Sequence, residues 1–70
     1  MFTIEEIASQ LKSLGIIVHV VDDKVKFEYT NDIIIKDNLI HFYECDYENS
    51  IVFNSISSLI HYVMEGYVDI

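Results

Sequence analysis

Polar and apolar positions over the first fifteen residues recur at the spacing of an amphipathic helix. Thr3 is a suitable N-cap, and Glu6 three residues later completes a capping box. Phe2 and Ile7 occupy the two positions of a hydrophobic staple. One stripe carries the apolar residues Ile4, Ile7, Ala8, Leu11 and Leu14. Gly15 is placed to adopt the left-handed conformation that ends a helix, so we predict a helix between Thr3 and Gly15.

From Ile16 the apolar period changes to two and β-branched residues dominate, which indicates β-strands. Asp22-Asp23 is a plausible two-residue hairpin turn. With that turn, one face receives the pairs Val20–Val25, Val18–Phe27 and Ile16–Tyr29. The other face receives Val21–Lys24, His19–Lys26 and Ile17–Glu28. Because this register produces one apolar and one mixed face, we predict it for the first hairpin.

The same reasoning applies to a second hairpin around Asp37-Asn38. Its inward pairs are Ile35–Ile40 and Ile33–Phe42, and its outward pairs are Lys36–Leu39 and Ile34–His41. The connection between the two hairpins must keep inward residues beside inward residues. We therefore predict a three-residue loop at Thr30-Asn31-Asp32, with Tyr29 opposite Ile33 and with Asn31 or Asp32 at positive φ.

The last third of the chain predicts a loop, a short strand and a helix. Residues 46–50 have loop composition, and Ile51-Val52-Phe53 is a candidate fifth strand. Asn54 or Ser55 then caps a second helix, which Gly66 closes. Its apolar stripe consists of Ile56, Leu59, Ile60 and Val63.

These elements predict a single α+β domain over residues 1–70. It has an N-terminal helix, an antiparallel meander of four or five strands, and a C-terminal helix. Each helix has one apolar stripe to bury, and the sheet has one strongly apolar face. We therefore expect both helices to pack on that face, in two layers.

Charge narrows the range of functions. The chain has four lysines, no arginine and twelve acids, for a formal net charge of −8, and no lysine follows Lys36. Nucleic-acid binding depends on lysine and arginine, so we expect no direct contact with nucleic acid and none with an anionic membrane. The acidity serves either solubility or docking on a basic partner, which could include imitation of a nucleic-acid backbone.

The sequence shows no signal for secretion or membrane insertion, so we expect a cytoplasmic location. No apolar run approaches the roughly 20 residues needed to span a bilayer, and the N-terminus lacks a basic region followed by an apolar stretch. The single cysteine, Cys45, cannot form an internal disulfide, which excludes a disulfide-stapled secreted protein.

Metal binding and catalysis have little support. The eligible nitrogen and sulfur ligands are His19, His41, His61 and Cys45. His41 and Cys45 lie on one predicted strand about 13 Å apart, too far to share an ion. Asp22, Asp23 and Asp37 fall in turns at one end of the sheet and could hold a hard cation, although aspartate is a common turn residue. The sequence also lacks a nucleophile or phosphate-loop motif, so we expect no enzymatic activity, metal or cofactor.

Two surfaces are candidates for protein contacts. The first is the outer sheet face, where apolar residues lie among three of the four lysines and a homodimer could bury them. Its candidate residues are Ile17, His19, Val21, Ile34, Leu39 and His41. The second is an acidic and aromatic segment suited to docking on a basic protein. It consists of Tyr43, Glu44, Asp46, Tyr47 and Glu48.

The sequence favours a small acidic protein-binding module or inhibitor that docks on a larger, basic-surfaced partner. Abundant isoleucine without arginine resembles the composition of proteins from AT-rich bacterial or phage genomes. Among phage proteins, small acidic domains often inhibit host enzymes or defence systems. Two alternatives remain: a homo-oligomeric structural or assembly component, and a small-ligand binder with a cleft between helices and sheet.

Overall fold

The computed structural model describes residues 2–28, 31–44 and 49–67. Its elements are α1 (Ile4–Ser13), β1 (Val18–Val21), β2 (Lys24–Phe27), β3 (Asp32–Lys36), β4 (Leu39–Tyr43), β5 (Ser50–Phe53), α2 (Ile56–Tyr62) and a π-helix (Val63–Tyr67). Within this part of the chain, the strands form one antiparallel sheet in the order β1-β2-β3-β4-β5. The predicted α+β class is confirmed. The fifth strand that the sequence left open is formed, and it begins at Ser50, which was predicted to lie in the preceding loop.

Helix α1 begins with the predicted capping box. The Thr3 amide donates to Glu6 Oε1 at 2.8 Å, and the Glu6 amide donates to Thr3 Oγ1 at 3.1 Å. Gly15 has a φ of 86°, as expected of a residue that ends a helix. Leu14 was predicted to extend the apolar stripe, but its side chain is exposed. The helix ends at Ser13 and Leu14 forms its C-cap, so the helical spacing no longer directs this side chain to the core.

Both predicted hairpins are confirmed, and so is their register between the observed strands. The predicted pair Ile17–Glu28 lies beyond the ends of β1 and β2, and the pair Ile16–Tyr29 includes Tyr29, which lies outside the described residues. Val20 pairs with Val25 in the first hairpin, and Ile35 pairs with Ile40 in the second. All four turn residues have positive φ, which is typical of type I′ turns: Asp22, Asp23, Asp37 and Asn38. Aspartate and asparagine tolerate this conformation better than most residues, which explains their presence at both turns.

The predicted connection between the hairpins is wrong. Ile33 pairs with Val25 rather than with Tyr29, which lies outside the described residues. Asp32 belongs to β3 instead of to a loop, and neither Asn31 nor Asp32 has positive φ. The observed register is displaced by four residues from the predicted one. An even displacement keeps every side chain on the same face, so the apolar pattern does not distinguish the two registers.

Polar contacts distinguish the observed register from the displaced one. The Phe27 amide donates to the Asn31 carbonyl at 3.0 Å and closes the connection. Lys26 lies opposite Asp32, and its ammonium contacts both carboxylate oxygens, at 3.0 and 3.1 Å. These contacts involve groups that would be costly to bury without partners.

One core lies between the sheet and the two helices. Helix α1 packs against β1 and β2, whereas α2 contacts β5. The ring of Phe42 on β4 meets Phe27 edge-on at 5.6 Å and Tyr62 at 5.7 Å. The fully buried side chains are Ile7, Leu11, Val25, Ile33, Ile40, Phe42, Leu59 and Val63. Both helices therefore cover one face of the sheet, as predicted.

The second helix ends differently from the prediction. Ser55 is the N-cap, and its hydroxyl oxygen accepts from the Ser58 amide at 3.1 Å. The predicted stripe packs inward, with Leu59 and Val63 fully buried. However, α-helical winding stops at Tyr62 and continues as a π-helix through Gly66, so this glycine does not close the helix. A glycine marks where an α-helix can end but does not distinguish termination from a change of winding.

Replacing Thr3 with alanine removes the oxygen that accepts from the Glu6 amide. We expect Thr3→Ala to lower the free energy of unfolding by about 1 kcal/mol, measured by urea denaturation. Ser9→Ala is a matched control because Ser9 is an exposed residue within α1. An equal loss of stability in both variants would contradict the capping role.

Candidate protein-interaction surfaces

The face of the sheet opposite the helices is built from alternate residues of the five strands. One row across it contains His19, Lys26, Asp32, Tyr43 and Ser50. Val21 and Lys24 begin the next row, and Ile34, His41 and Val52 complete it. Lys36 and Leu39 form a third pair. Five of the six predicted interface residues thus lie on this outer face, and Ile17 directly precedes β1.

Exposed apolar side chains on this surface lie near its two edges. Ile17, Val21 and Val52 are exposed, whereas Ile34 and Leu39 near the centre are half-buried. The central positions also hold the half-buried side chains of Lys24, Lys26, His41 and Tyr43. The outer face is therefore a mixed surface at its centre, with its apolar exposure at β1 and β5.

Lys26 and Asp32 form an ion pair on the outer face. Asp32 is only 5% exposed, and Lys26 bonds to both of its carboxylate oxygens. Sequence reasoning had placed Asp32 in a loop and missed this pair. A buried carboxylate is costly without a partner, so Lys26 has a structural role in this face.

His41 and Ser50 form a second polar contact that sequence reasoning missed. His41 Nδ1 lies 3.1 Å from Ser50 Oγ, and the His41 ring stacks on Tyr43 with centroids 6.4 Å apart. A serine beside a histidine resembles the start of a nucleophilic dyad. In the described ranges, no carboxylate bonds to the imidazole to orient it. We therefore interpret the contact as cross-strand packing between β4 and β5.

The predicted acidic and aromatic segment includes one well-anchored residue, Glu44. The Glu44 carbonyl accepts from Asn31 Nδ2 at 3.1 Å, and its carboxylate accepts from the Tyr62 hydroxyl at 2.9 Å. Tyr43 is half-buried and Glu44 is exposed. The remaining predicted members, Asp46, Tyr47 and Glu48, lie outside the described residues.

Glu28 lies at the same end of the sheet as Glu44. It follows β2, in the connection that the Phe27–Asn31 hydrogen bond closes, and its side chain is exposed. Asp46 and Glu48 follow Glu44 in the connection from β4 to β5. We call Glu28 and Glu44 the acidic end. Sequence reasoning missed Glu28 because the predicted register carried β2 beyond it.

The pKa of Tyr62 is raised above its usual value. Burial disfavours the charged phenolate, and the Glu44 carboxylate adds to this by accepting the hydroxyl proton in a hydrogen bond and by its negative charge. The folded state therefore favours the neutral phenol more than the unfolded chain does. The resulting stabilisation is present below pH about 10 and is lost as the pH rises through the folded-state pKa.

The histidines and the turn aspartates lie on separate elements. His19 is on β1, His41 is on β4, and His61 on α2 lies 3.1 Å from exposed Glu65. In residues 2–28, 31–44 and 49–67, no group of three histidine, cysteine, aspartate or glutamate side chains is arranged to hold a metal ion. Cys45 lies outside these ranges.

No protein-family model, curated protein or solved structure matches this chain. Among the described residues, no helix has the length and apolar character needed to cross a membrane. The surface chemistry of the described residues is therefore the basis for the functional proposal.

Replacing Glu44 with glutamine keeps an acceptor for the Tyr62 hydroxyl but removes the negative charge. We expect Glu44→Gln to lower the pKa of Tyr62, while burial keeps it above its usual value. The ¹³Cζ chemical shift of Tyr62, followed by NMR from neutral to high pH, measures this change. Glu5→Gln is the control because Glu5 is exposed on α1. An unchanged Tyr62 pKa in Glu44→Gln would show that the carboxylate has no influence.

Proposed function

We propose that this protein is a small protein-binding module or inhibitor that uses its acidic end to dock on a larger partner with a basic surface. A cytoplasmic location is part of this proposal. Carboxylates attract and orient a basic partner before contact, and tyrosines add contact area once the surfaces meet. Imitation of a nucleic-acid backbone is one form that such docking could take.

Exposed acids at one end of the sheet support this proposal. The acids in the two hairpin turns are suited to positive φ, and Glu5 and Glu6 lie in the first turn of α1. Asp32 pairs with Lys26, and Glu65 pairs with His61. Glu28 and Glu44, by contrast, are exposed at the acidic end and belong neither to a hairpin turn nor to the first turn of α1.

Anchored aromatic groups accompany these acids. Tyr62 contacts Glu44 and also packs its ring against Phe42 and Phe53. Tyr43, next to Glu44 in the sequence, stacks on His41. A surface whose side chains are already held in place loses less conformational entropy when a partner binds. The anchored Glu44 carboxylate beside Tyr62 and Tyr43 therefore favours a docking role over a purely solubilising one.

Homo-oligomeric assembly is the second candidate. Exposed Ile17, Val21 and Val52 at or beside the edges of the outer face support it, because exposed apolar groups mark contact surfaces. This alternative requires no basic partner and predicts a different response to salt.

A pull-down from a nuclease-treated bacterial lysate tests docking. The tagged protein should capture a stoichiometric protein that high salt releases, because exposed charges are screened at high ionic strength. Capture of no protein other than the chain itself would contradict docking and favour homo-oligomeric assembly. A captured protein that remains bound in high salt would contradict the electrostatic mechanism.

Single charge reversals then locate the contact on the captured protein. Glu28→Lys, Glu48→Lys and Glu5→Lys each replace one negative charge with a positive one, so each changes the formal charge from −8 to −6. We expect Glu28→Lys and Glu48→Lys each to weaken binding about tenfold, measured by calorimetry. Glu5→Lys on α1 should change the affinity by less than about twofold. An equal effect at all three positions would show that only net charge matters.

A further inference from the structure

The β1 edge of the sheet carries an unusual concentration of exposed apolar side chains. In the described residues, six large hydrophobic side chains are exposed, and three of them lie in β1 or directly before it. These are Ile17 at 60%, Val20 at 40% and Val21 at 43% exposure, and Leu14 at the end of α1 is a fourth, at 44%. The feature is confined to one strand, one preceding residue and the end of α1, so it marks an edge rather than a whole face.

The sequence of this edge lacks the charged residues and prolines that commonly protect an edge strand against pairing. Residues 16–21 read IIVHVV, without a proline, a glycine, an acid or a lysine. Natural edge strands are commonly guarded by charge, proline or a bulge because their free backbone groups recruit other strands. An uncharged run of β-branched residues at a sheet edge is therefore suited to pairing with another strand.

The backbone of β1 has free hydrogen-bonding groups in a defined arrangement. The two-residue turn makes Val21–Lys24 the hydrogen-bonded pair that closes the hairpin, so His19 and Lys26 form the next such pair. The alternate residues, Val18 and Val20, direct their amide and carbonyl groups away from β2. No other strand in the described part of the chain lies on that side of β1.

We propose that β1 pairs antiparallel with β1 of a second copy of this chain, about a two-fold axis at His19. The two copies would form one continuous sheet with five strands from each. This surface is distinct from the acidic end, so the proposal does not depend on docking to a basic partner.

The self-complementarity of β1 supports this register. With the axis at His19, Val18 opposes Val20 of the second copy, and the two such pairs exchange four backbone hydrogen bonds, two in each pair. Ile17 then opposes Val21 of the second copy, so the exposed apolar side chains of the edge meet each other. An axis at Val18 would instead place Ile17 against His19 and leave Val21 without an apolar partner.

Charge placement is compatible with the same arrangement despite the net charge of −8. Antiparallel pairing brings the Asp22-Asp23 turn of one copy beside the C-terminal end of α1 in the other. Lys12 lies in the last turn of α1 and is the lysine that is not on the outer face. Because the dimer is two-fold symmetric, the Asp22-Asp23 turn and Lys12 come close together at both ends of the interface. The paired β1 strands themselves contain no aspartate, glutamate, lysine or arginine.

Disulfide trapping tests the register directly. In a Cys45→Ser background, His19→Cys places two thiols in a non-hydrogen-bonded pair with a Cα separation of about 4.5 Å, which suits a disulfide. Val21→Cys is the matched control on the same strand and face, because its two copies would be about 14 Å apart. We expect mild oxidation to cross-link the His19→Cys variant between chains and to leave Val21→Cys uncross-linked on non-reducing gels. Equal cross-linking of both variants, or none of His19→Cys, would overturn the register.

Sedimentation measures association without introduced cysteines. We expect a reversible dimer with a dissociation constant in the micromolar range, because an edge-to-edge interface is small. Val20→Lys should weaken the dimer at least about tenfold, since it places a charge in the interface. Val52→Lys is the control, at an exposed position on the opposite edge strand. Circular dichroism melting confirms that both variants fold.

The outcomes distinguish this proposal from the docking function. The dimer should persist when salt is raised, because its interface is apolar and screening reduces repulsion between two acidic copies. Docking on a basic partner should weaken under the same conditions. A monomer at concentrations up to about 1 mM, or disruption by Val52→Lys but not by Val20→Lys, would overturn β1 pairing and leave the docking proposal standing.

Discussion

The ring of Phe42 joins three elements of the fold, because it contacts Phe27 from β2 and Tyr62 from α2. These contacts require β4 to keep Phe42 on the helix side, and strand alternation then determines the face of every neighbouring residue. A chain of seventy residues supports one core of this kind. Both helices pack on one face of the sheet, so they do not cover the opposite face or the β1 edge, where other molecules can bind.

The architecture could be predicted from sequence where local chemistry restricts the backbone. Aspartate or asparagine at both positions of a two-residue turn sets the hairpin register, and the apolar alternation confirms it. The connection after Phe27 has no comparable turn, so its register depends on contacts between strands. The Lys26–Asp32 ion pair is such a contact, and no periodicity in the sequence reveals it. The π-helix after Tyr62 was also not predictable from periodicity, because Val63 remains buried as the predicted α-helical stripe requires.

The candidate surfaces were predictable to a different extent. Alternation alone assigns His19, Ile34 and His41 to the outer face, and the observed pairing agrees. Exposure within that face was not predictable, because it depends on which neighbouring side chains lie over each residue. The Ser50 contact with His41 also required the register of β5, which the sequence did not specify. Glu28 joined the acidic end only once the observed register ended β2 at Phe27.

The strand order also bears on how the chain acquires its structure. Each strand pairs with its neighbours in sequence, while α1 packs on the hairpin that follows it and α2 contacts the strand before it. Closing short loops costs little entropy, and topologies of sequence-local contacts fold quickly. Each hairpin can therefore form soon after its second strand leaves the ribosome. During synthesis β1 therefore pairs with β2 before the rest of the sheet forms. This early pairing shortens the time during which both edges of β1 have unpaired backbone groups.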